Sequence, residues 1–273
     1  MNLYRVLIND VTRLALKTGQ DMVLLPPETT IASLLSLGDL SSGLASIEKS
    51  NLESEFTPLA PLEDQDVWAC GVTYYDSKLA RNDESENASS FYDAAYSASR
   101  PLIFFKARGR NVLPTGGKML LRSDSSWIVP EPELVLVINS SGKIVGVTAG
   151  NDLSCRDIEG ENPLYQPQAK VWKGSCSMGP SIYLVETGSR KDFDISMSIS
   201  RNSQEIFSGQ TNSSKIVREF QELVDTLFNY RSFEDGAFLF TGTGIIPEDD
   251  FSLEPGDSIA IKIENIGQLD NMV

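Results

Sequence analysis

The chain has 273 residues, 41% of them hydrophobic and 22% charged, which suits a folded protein with a sizeable core and excludes a disordered tail. Its net charge of -15, without a basic stretch carrying interleaved aromatics, excludes nucleic acid and anionic membranes as partners. Histidine is absent, so chemistry must run on carboxylates, lysines, hydroxyls or a metal rather than on Ser-His or Cys-His pairs.

From Leu3 to Leu16 the pattern predicts an amphipathic strand and helix, and from Ile31 to Leu44 a second helical stretch. Thr57-Pro58-Leu59-Ala60-Pro61 then punctuates the chain, so residues 1–60 read as a small N-terminal α/β domain and 61–273 as a second, larger domain. From Asp66-Val67-Trp68-Ala69-Cys70 onward, apolar runs at 101–106, 134–139, 144–149, 181–185, 195–201, 236–241 and 258–264 alternate with Gly, Pro, Asn and Ser clusters. That rhythm predicts a largely β domain. Its clearest helix is Ser214 to Phe228, where Ile216, Phe220, Leu223, Val224 and Leu227 share a face. The polar stretch Asp76 to Ser99 is either a solvated loop or a mobile lid over a site.

No run reaches the roughly 18 apolar residues of a membrane span, and Met1-Asn2-Leu3-Tyr4-Arg5 opens no long apolar stretch of the secretory kind, so a cytoplasmic protein without membrane partners is expected. Cys70, Cys155 and Cys176 are odd in number and lack a CxxC spacing, which predicts buried free thiols in reducing surroundings.

The most informative pattern is Glu131 and Glu133 at the head of the apolar run Leu134 to Ile138, answered by Asp152 beyond the turn-forming Ser140-Ser141-Gly142-Lys143. Residues i and i+2 of a strand share a face, so the two glutamates project together. If Asn139 pairs with Ile144, Glu131 lies opposite Asp152 and Glu133 opposite Gly150, which gathers three carboxylates on one face. Three such charges repel unless a cation lies between them. An all-oxygen set favours a hard ion, Mg2+ first, with Mn2+ or Ca2+ as alternatives. The competing reading is three solvated carboxylates on the polar face of a hairpin.

Gly71-Val72-Thr73-Tyr74, Pro130-Glu131-Pro132-Glu133-Leu134, Gly150-Asn151-Asp152-Leu153-Ser154, Gln168-Ala169-Lys170, Thr241-Gly242-Thr243 and Leu253-Glu254-Pro255-Gly256-Asp257 resemble, in order, the fumarylacetoacetate hydrolase superfamily over residues 66–273. The resemblance implies a mixed β roll, mainly β with some α, preceded by a variable N-terminal domain. It also implies Mg2+ on Glu131, Glu133 and Asp152. Hydrolytic members carry Asn-Tyr-x-x-His, whereas this chain has Thr73-Tyr74-Tyr75-Asp76-Ser77, with Ser77 at the histidine position. The stretch from Ser154 to Lys170 is similar to the branch of 2-keto-3-deoxy-sugar-acid dehydratases, which also lacks that histidine.

The resemblance implies dehydration of a 2-keto-3-deoxypentonate to 2,5-dioxopentanoate, with the metal polarising the C2 carbonyl and stabilising the enolate formed at C3. Lys170 is expected to take part as base or as a charge beside the enolate. Glu84 and Glu86 are candidate proton-transfer groups if the polar loop closes. Thr243 is a candidate ligand for the substrate carboxylate, or part of a plain turn. Lys106 either adds positive charge for the substrate or closes a strand with its stem. The expected partner is a small 2-oxo acid, and a homo-oligomer, dimer or tetramer, is expected. Alternatives are a decarboxylase or isomerase of another 2-oxo acid, an acylpyruvate-type hydrolase, and a non-catalytic oxo-acid binder.

Overall fold

Every apolar run expected to be a strand is one: Leu102–Arg108, Pro132–Ile138, Ile144–Asp152, Cys176–Leu184, Asp194–Arg201, Ala237–Phe240 and Ser258–Ile263. This is the arrangement of a computed structural model that describes residues 1–38, 40–52, 55–74, 96, 98–186 and 191–273. β-Branched and aromatic side chains fill these segments, and a pleated surface buried on one or both faces accommodates them.

The strands form two main sheets. The centre of an eleven-stranded sheet runs in the order Asn2–Ile8, Cys176–Leu184, Ile144–Asp152, Pro132–Ile138, Ala237–Phe240, Asp66–Gly71 and Leu102–Arg108. Neighbours in that run are antiparallel, except that Ala237–Phe240 pairs parallel with Asp66–Gly71. A five-stranded sheet, Gln204–Asn212, Asp194–Arg201, Ser258–Ile263, Gly267–Met272 and Gly117–Lys118, covers one of its faces. Leu134, Leu136 and Ile138 pack there with Ile195, Met197, Ile199, Ile259, Ile261 and Ile263. Val135 and Val137 point the other way, into a second core with Leu3, Leu14, Leu16, Ile31, Leu34, Phe238 and Phe240. Burial on both faces is why this strand reads as a continuous apolar run rather than an alternation.

The N-terminal elements differ from the sequence expectation. Leu3 to Leu16 is a hairpin of Asn2–Ile8 and Val11–Thr18, not a strand and a helix. Its turn residues Asn9 and Asp10 both have positive φ, 47° and 64°, the conformation of a two-residue hairpin turn that Asn and Asp tolerate. The expected helix from Ile31 to Leu44 is two short ones, Ile31–Leu35 and Leu40–Ser46. Asn2–Ile8 hydrogen-bonds to Cys176–Leu184, so the N-terminal segment shares a sheet and a core with the chain beyond residue 60.

The helix expected from Ser214 begins only at Phe220 and runs to Phe228, burying Phe220, Leu223, Val224 and Leu227. Its first half is drawn off as an extended segment: Tyr74 and Ile216 form an isolated bridge, and the Val217 amide donates to the Thr73 carbonyl at 3.0 Å. Gln204–Asn212 is a strand with no apolar run behind it, because it is an edge strand with an exposed face.

Candidate active site

The hairpin of Pro132–Ile138 and Ile144–Asp152 has the register expected at its functional end. Glu133 lies opposite Gly150, and the Asp152 amide donates to the Glu131 carbonyl at 3.0 Å. A bulge between Val137 and Ile138 pairs Ile138, not Asn139, with Ile144. Asn139 instead organises the turn, its Oδ1 accepting from the Ser141 and Lys143 amides at 3.1 and 2.9 Å. The irregularity is absorbed next to the loop, so the far end keeps its pairing.

One carboxylate oxygen from each of Glu131, Glu133 and Asp152 lies within 4.8 Å of the others, and all three residues are buried. Lys170, at the end of the helix Gln166–Lys170, lies 2.6 Å from Glu131 Oε2 and 3.3 Å from Asp152 Oδ2, and donates to Ser154 Oγ. Three of the four remaining oxygens are held from outside. Arg156 Nη2 lies 2.9 Å from Glu131 Oε1, and Lys106 Nζ lies 2.5 Å from Asp152 Oδ1. Glu133 Oε2 accepts the Gly242 amide at 2.5 Å. Gly242 has φ +90°, and a Cβ there would come within 2.1 Å of Thr73 Oγ1, so only glycine presents its amide this way.

A pocket opens on this cluster, lined by Glu131, Glu159, Lys170, Gly242 and Thr243 on its polar side and by Cys70, Val72 and Phe104 among others. With all four carboxylates ionised, buried Glu131, Glu133, Asp152 and Glu159 exceed the buried cations Lys106, Arg156 and Lys170 by one negative charge. A divalent cation together with a monoanionic oxo acid brings that balance to neutrality. Burial raises the Glu133 carboxyl well above its usual range, Asp152 and Glu131 push it further, and Lys170 and the Gly242 amide oppose them. Among the described residues no thiol joins this cluster: the ligand atoms that converge are those of Glu131, Glu133 and Asp152. Burial, then Glu133, lifts Cys70 well above its usual range, and burial pushes Cys176 up to about 12. The donor set is all oxygen and fits Mg2+.

The other sequence candidates divide. Thr243 lines the pocket, with its hydroxyl engaged by the Ile245 amide at 3.2 Å. Lys106 is buried behind Asp152 and does not line the pocket. Glu84, Glu86, Ser77 and most of the polar stretch 76–99 lie outside the described residues. Ser154 and Gly242 stand in the sequence only within the motifs Gly150 to Ser154 and Thr241-Gly242-Thr243, with no contact to the carboxylates or Lys170 foreseen. Ser175, whose hydroxyl donates to the Lys170 carbonyl at 3.1 Å, left no signal there.

Residues 74–273 match the family model for the fumarylacetoacetate (FAA) hydrolase C-terminal domain. The chain belongs to the fumarylacetoacetate hydrolase family. Within the family it is 39% identical over 259 residues to a probable 2-keto-3-deoxyxylonate dehydratase of Haloferax volcanii, covering 89% of each chain. It is 38% identical to the 2-dehydro-3-deoxy-D-arabinonate dehydratase of Saccharolobus solfataricus, over 85% of this chain and 80% of that one. The fold matches a solved 2-keto-3-deoxy-D-arabinonate dehydratase complexed with magnesium and 2,5-dioxopentanoate, with a TM-score of 0.83, 32% identity, and coverage of 100% and 98%. The fumarylacetoacetate hydrolase architecture, a β roll of large mixed sheets, thus holds along the whole chain.

Proposed function

We propose that this protein is a Mg2+-dependent dehydratase that converts a 2-keto-3-deoxypentonate to 2,5-dioxopentanoate, with Glu131, Glu133 and Asp152 holding the metal. The observation that carries this reading is the buried three-carboxylate cradle with an amine against it, in a chain whose similar structure holds magnesium and 2,5-dioxopentanoate. A divalent ion held by these three carboxylates would supply a Lewis acid for the substrate's carbonyl.

The residues of the chain do the rest. The C3 proton and the C4 hydroxyl leave as one water, and two hydrogens, one from C5 and one from its hydroxyl, pass to C3 and C4 to leave a C5 aldehyde. Lys170 serves the C3 step either as the base or as a positive charge that steadies it: its amine is buried on the pocket wall, where either acts with little competition from solvent. Arg156 and the Gly242 amide hold Glu131 and Glu133. Thr243 is the residue we assign to the polar end of the ligand, because it lines the pocket and its hydroxyl has only local bonds to Ile245 to exchange. Phe104, Val72 and Cys70 supply the pocket's less polar lining. A cytoplasmic location is the accompanying reading, supported by three free buried cysteines, which suit reducing surroundings.

The test is a panel of 2-keto-3-deoxypentonates, 2-keto-3-deoxyhexonates, oxaloacetate and an acylpyruvate, each with Mg2+ and with EDTA. Mg2+-dependent water loss from a pentonate supports the reading. Cleavage of the acylpyruvate, or decarboxylation without dehydration, replaces it.

A further inference from the structure

We propose that Lys106 is a positioning residue that anchors the metal ligand Asp152 and the amine of Lys170 to each other; its activity readout rests on the dehydratase reading above. Lys106 projects from the strand Leu102–Arg108 and is 1% exposed. Its ammonium lies 2.5 Å from Asp152 Oδ1 and donates to the Leu153 carbonyl at 3.3 Å, to Ser175 Oγ at 3.3 Å and to the Lys170 carbonyl. The Trp172 ring covers it, 5.5 Å from nitrogen to centroid. An ammonium carries three protons, and these acceptors already outnumber them. Lys106 therefore has no donor to give a ligand and acts through its neighbours.

All of those acceptors belong to two segments, 152–153 and 170–175, which carry a metal ligand and the candidate catalytic amine. The helix Gln166–Lys170 has five residues, too few to hold its shape alone, and its last carbonyls lack intrahelical donors. The Lys170 carbonyl is instead satisfied by Lys106 and by Ser175 Oγ, the latter at 3.1 Å. The same ammonium fixes Asp152 Oδ1 while Asp152 Oδ2 faces the Lys170 amine at 3.3 Å. One buried charge thus sets where the ligand carboxylate points and where the lysine side chain starts. A strand of the large sheet supplies that charge, which makes the anchor rigid.

The experiment compares wild type, Lys106→Met, Lys170→Met and the double variant, each checked for native far-UV circular dichroism. Titration calorimetry with Mg2+ alone should show about 10–100-fold weaker binding for Lys106→Met, the range for losing an outer-shell partner. For a 2-keto-3-deoxypentonate, Lys106→Met should lower kcat about 100-fold in the wild-type background and less than about threefold in the Lys170→Met background, because it acts through Lys170. Unchanged or tighter Mg2+ binding by folded Lys106→Met, or equal kcat losses in both backgrounds, overturns the proposal. If Lys106→Met does not fold, Ser175→Ala replaces it. That variant should lose about three- to tenfold in kcat in the wild-type background only, and an equal loss with Lys170→Met overturns the proposal. If wild type dehydrates none of the acids, the dehydratase reading fails, while the Mg2+ titration still decides the link from Lys106 to Asp152.

Discussion

Replacing Glu133 by Gln should change stability in opposite directions with and without metal. Glu133 is 1% exposed and shares its space with Glu131 and Asp152, and the folded protein holds its proton more tightly than the unfolded chain does. The sign follows from linkage. Between the ordinary carboxyl value near 4.5 and the raised value in the fold, the native state binds more protons, so the stability of the metal-free protein falls as pH rises through that window. Gln keeps the shape, and its carbonyl can still accept the Gly242 amide that Glu133 Oε2 accepts at 2.5 Å. In EDTA at pH 8 the variant should be about 1–2 kcal/mol more stable than wild type, the cost of a buried group with inadequate compensation, and the two should converge near pH 4.5. With saturating Mg2+ the order reverses, because a lost ligand that weakens binding about 100-fold forfeits about 2.7 kcal/mol of linked stabilisation. Urea unfolding followed by circular dichroism at both pH values, in EDTA and in Mg2+, measures all four numbers. A variant less stable than wild type in EDTA at pH 8, or one that Mg2+ stabilises as much as wild type, refutes the reasoning.

Lys170→Met keeps most of the stem and removes the ammonium, so kcat should fall by about two to four orders of magnitude while Mg2+ still binds, as steady-state kinetics and calorimetry would show. Gly150→Ala places a Cβ 2.3 Å from Phe240 Cε1 and 2.6 Å from Val135 Cγ2 in the hairpin that carries the cradle, so urea unfolding should show a loss of about 1–3 kcal/mol. Arg156→Met leaves Glu131 Oε1 without the partner now 2.9 Å away, and should cost about 3–5 kcal/mol in EDTA, with part of the loss recovered on adding Mg2+.

What the sequence reveals and what it hides follow from contact range. The cradle is legible because strand periodicity places Glu131 with Glu133, and a short turn fixes the pairing that brings Asp152 across. The bulge at Val137 and Ile138 does not spoil that expectation, because Asn139 takes it up inside the loop. The apolar strands are legible because both faces of the large sheet are buried, whereas the edge strand Gln204–Asn212 has no such signal. Tertiary pairing overrides local pattern at Ser214 to Val217, where a bridge to Tyr74 replaces the first helical turn. The outer holders of the cradle are hidden for the same reason. Lys106 meets Lys170 across 64 residues, and the Gly242 amide meets Glu133 across 109, separations that no local period encodes.

Nuclear magnetic resonance of the product made from a 2-keto-3-deoxypentonate by the Mg2+-loaded protein tests the central claim most directly. The account predicts 2,5-dioxopentanoate, with one water lost, a C5 aldehyde and all five carbons in a single molecule, formed with Mg2+ and not with EDTA. Recovery of intact substrate under Mg2+, or a product with a broken carbon-carbon bond, would contradict it.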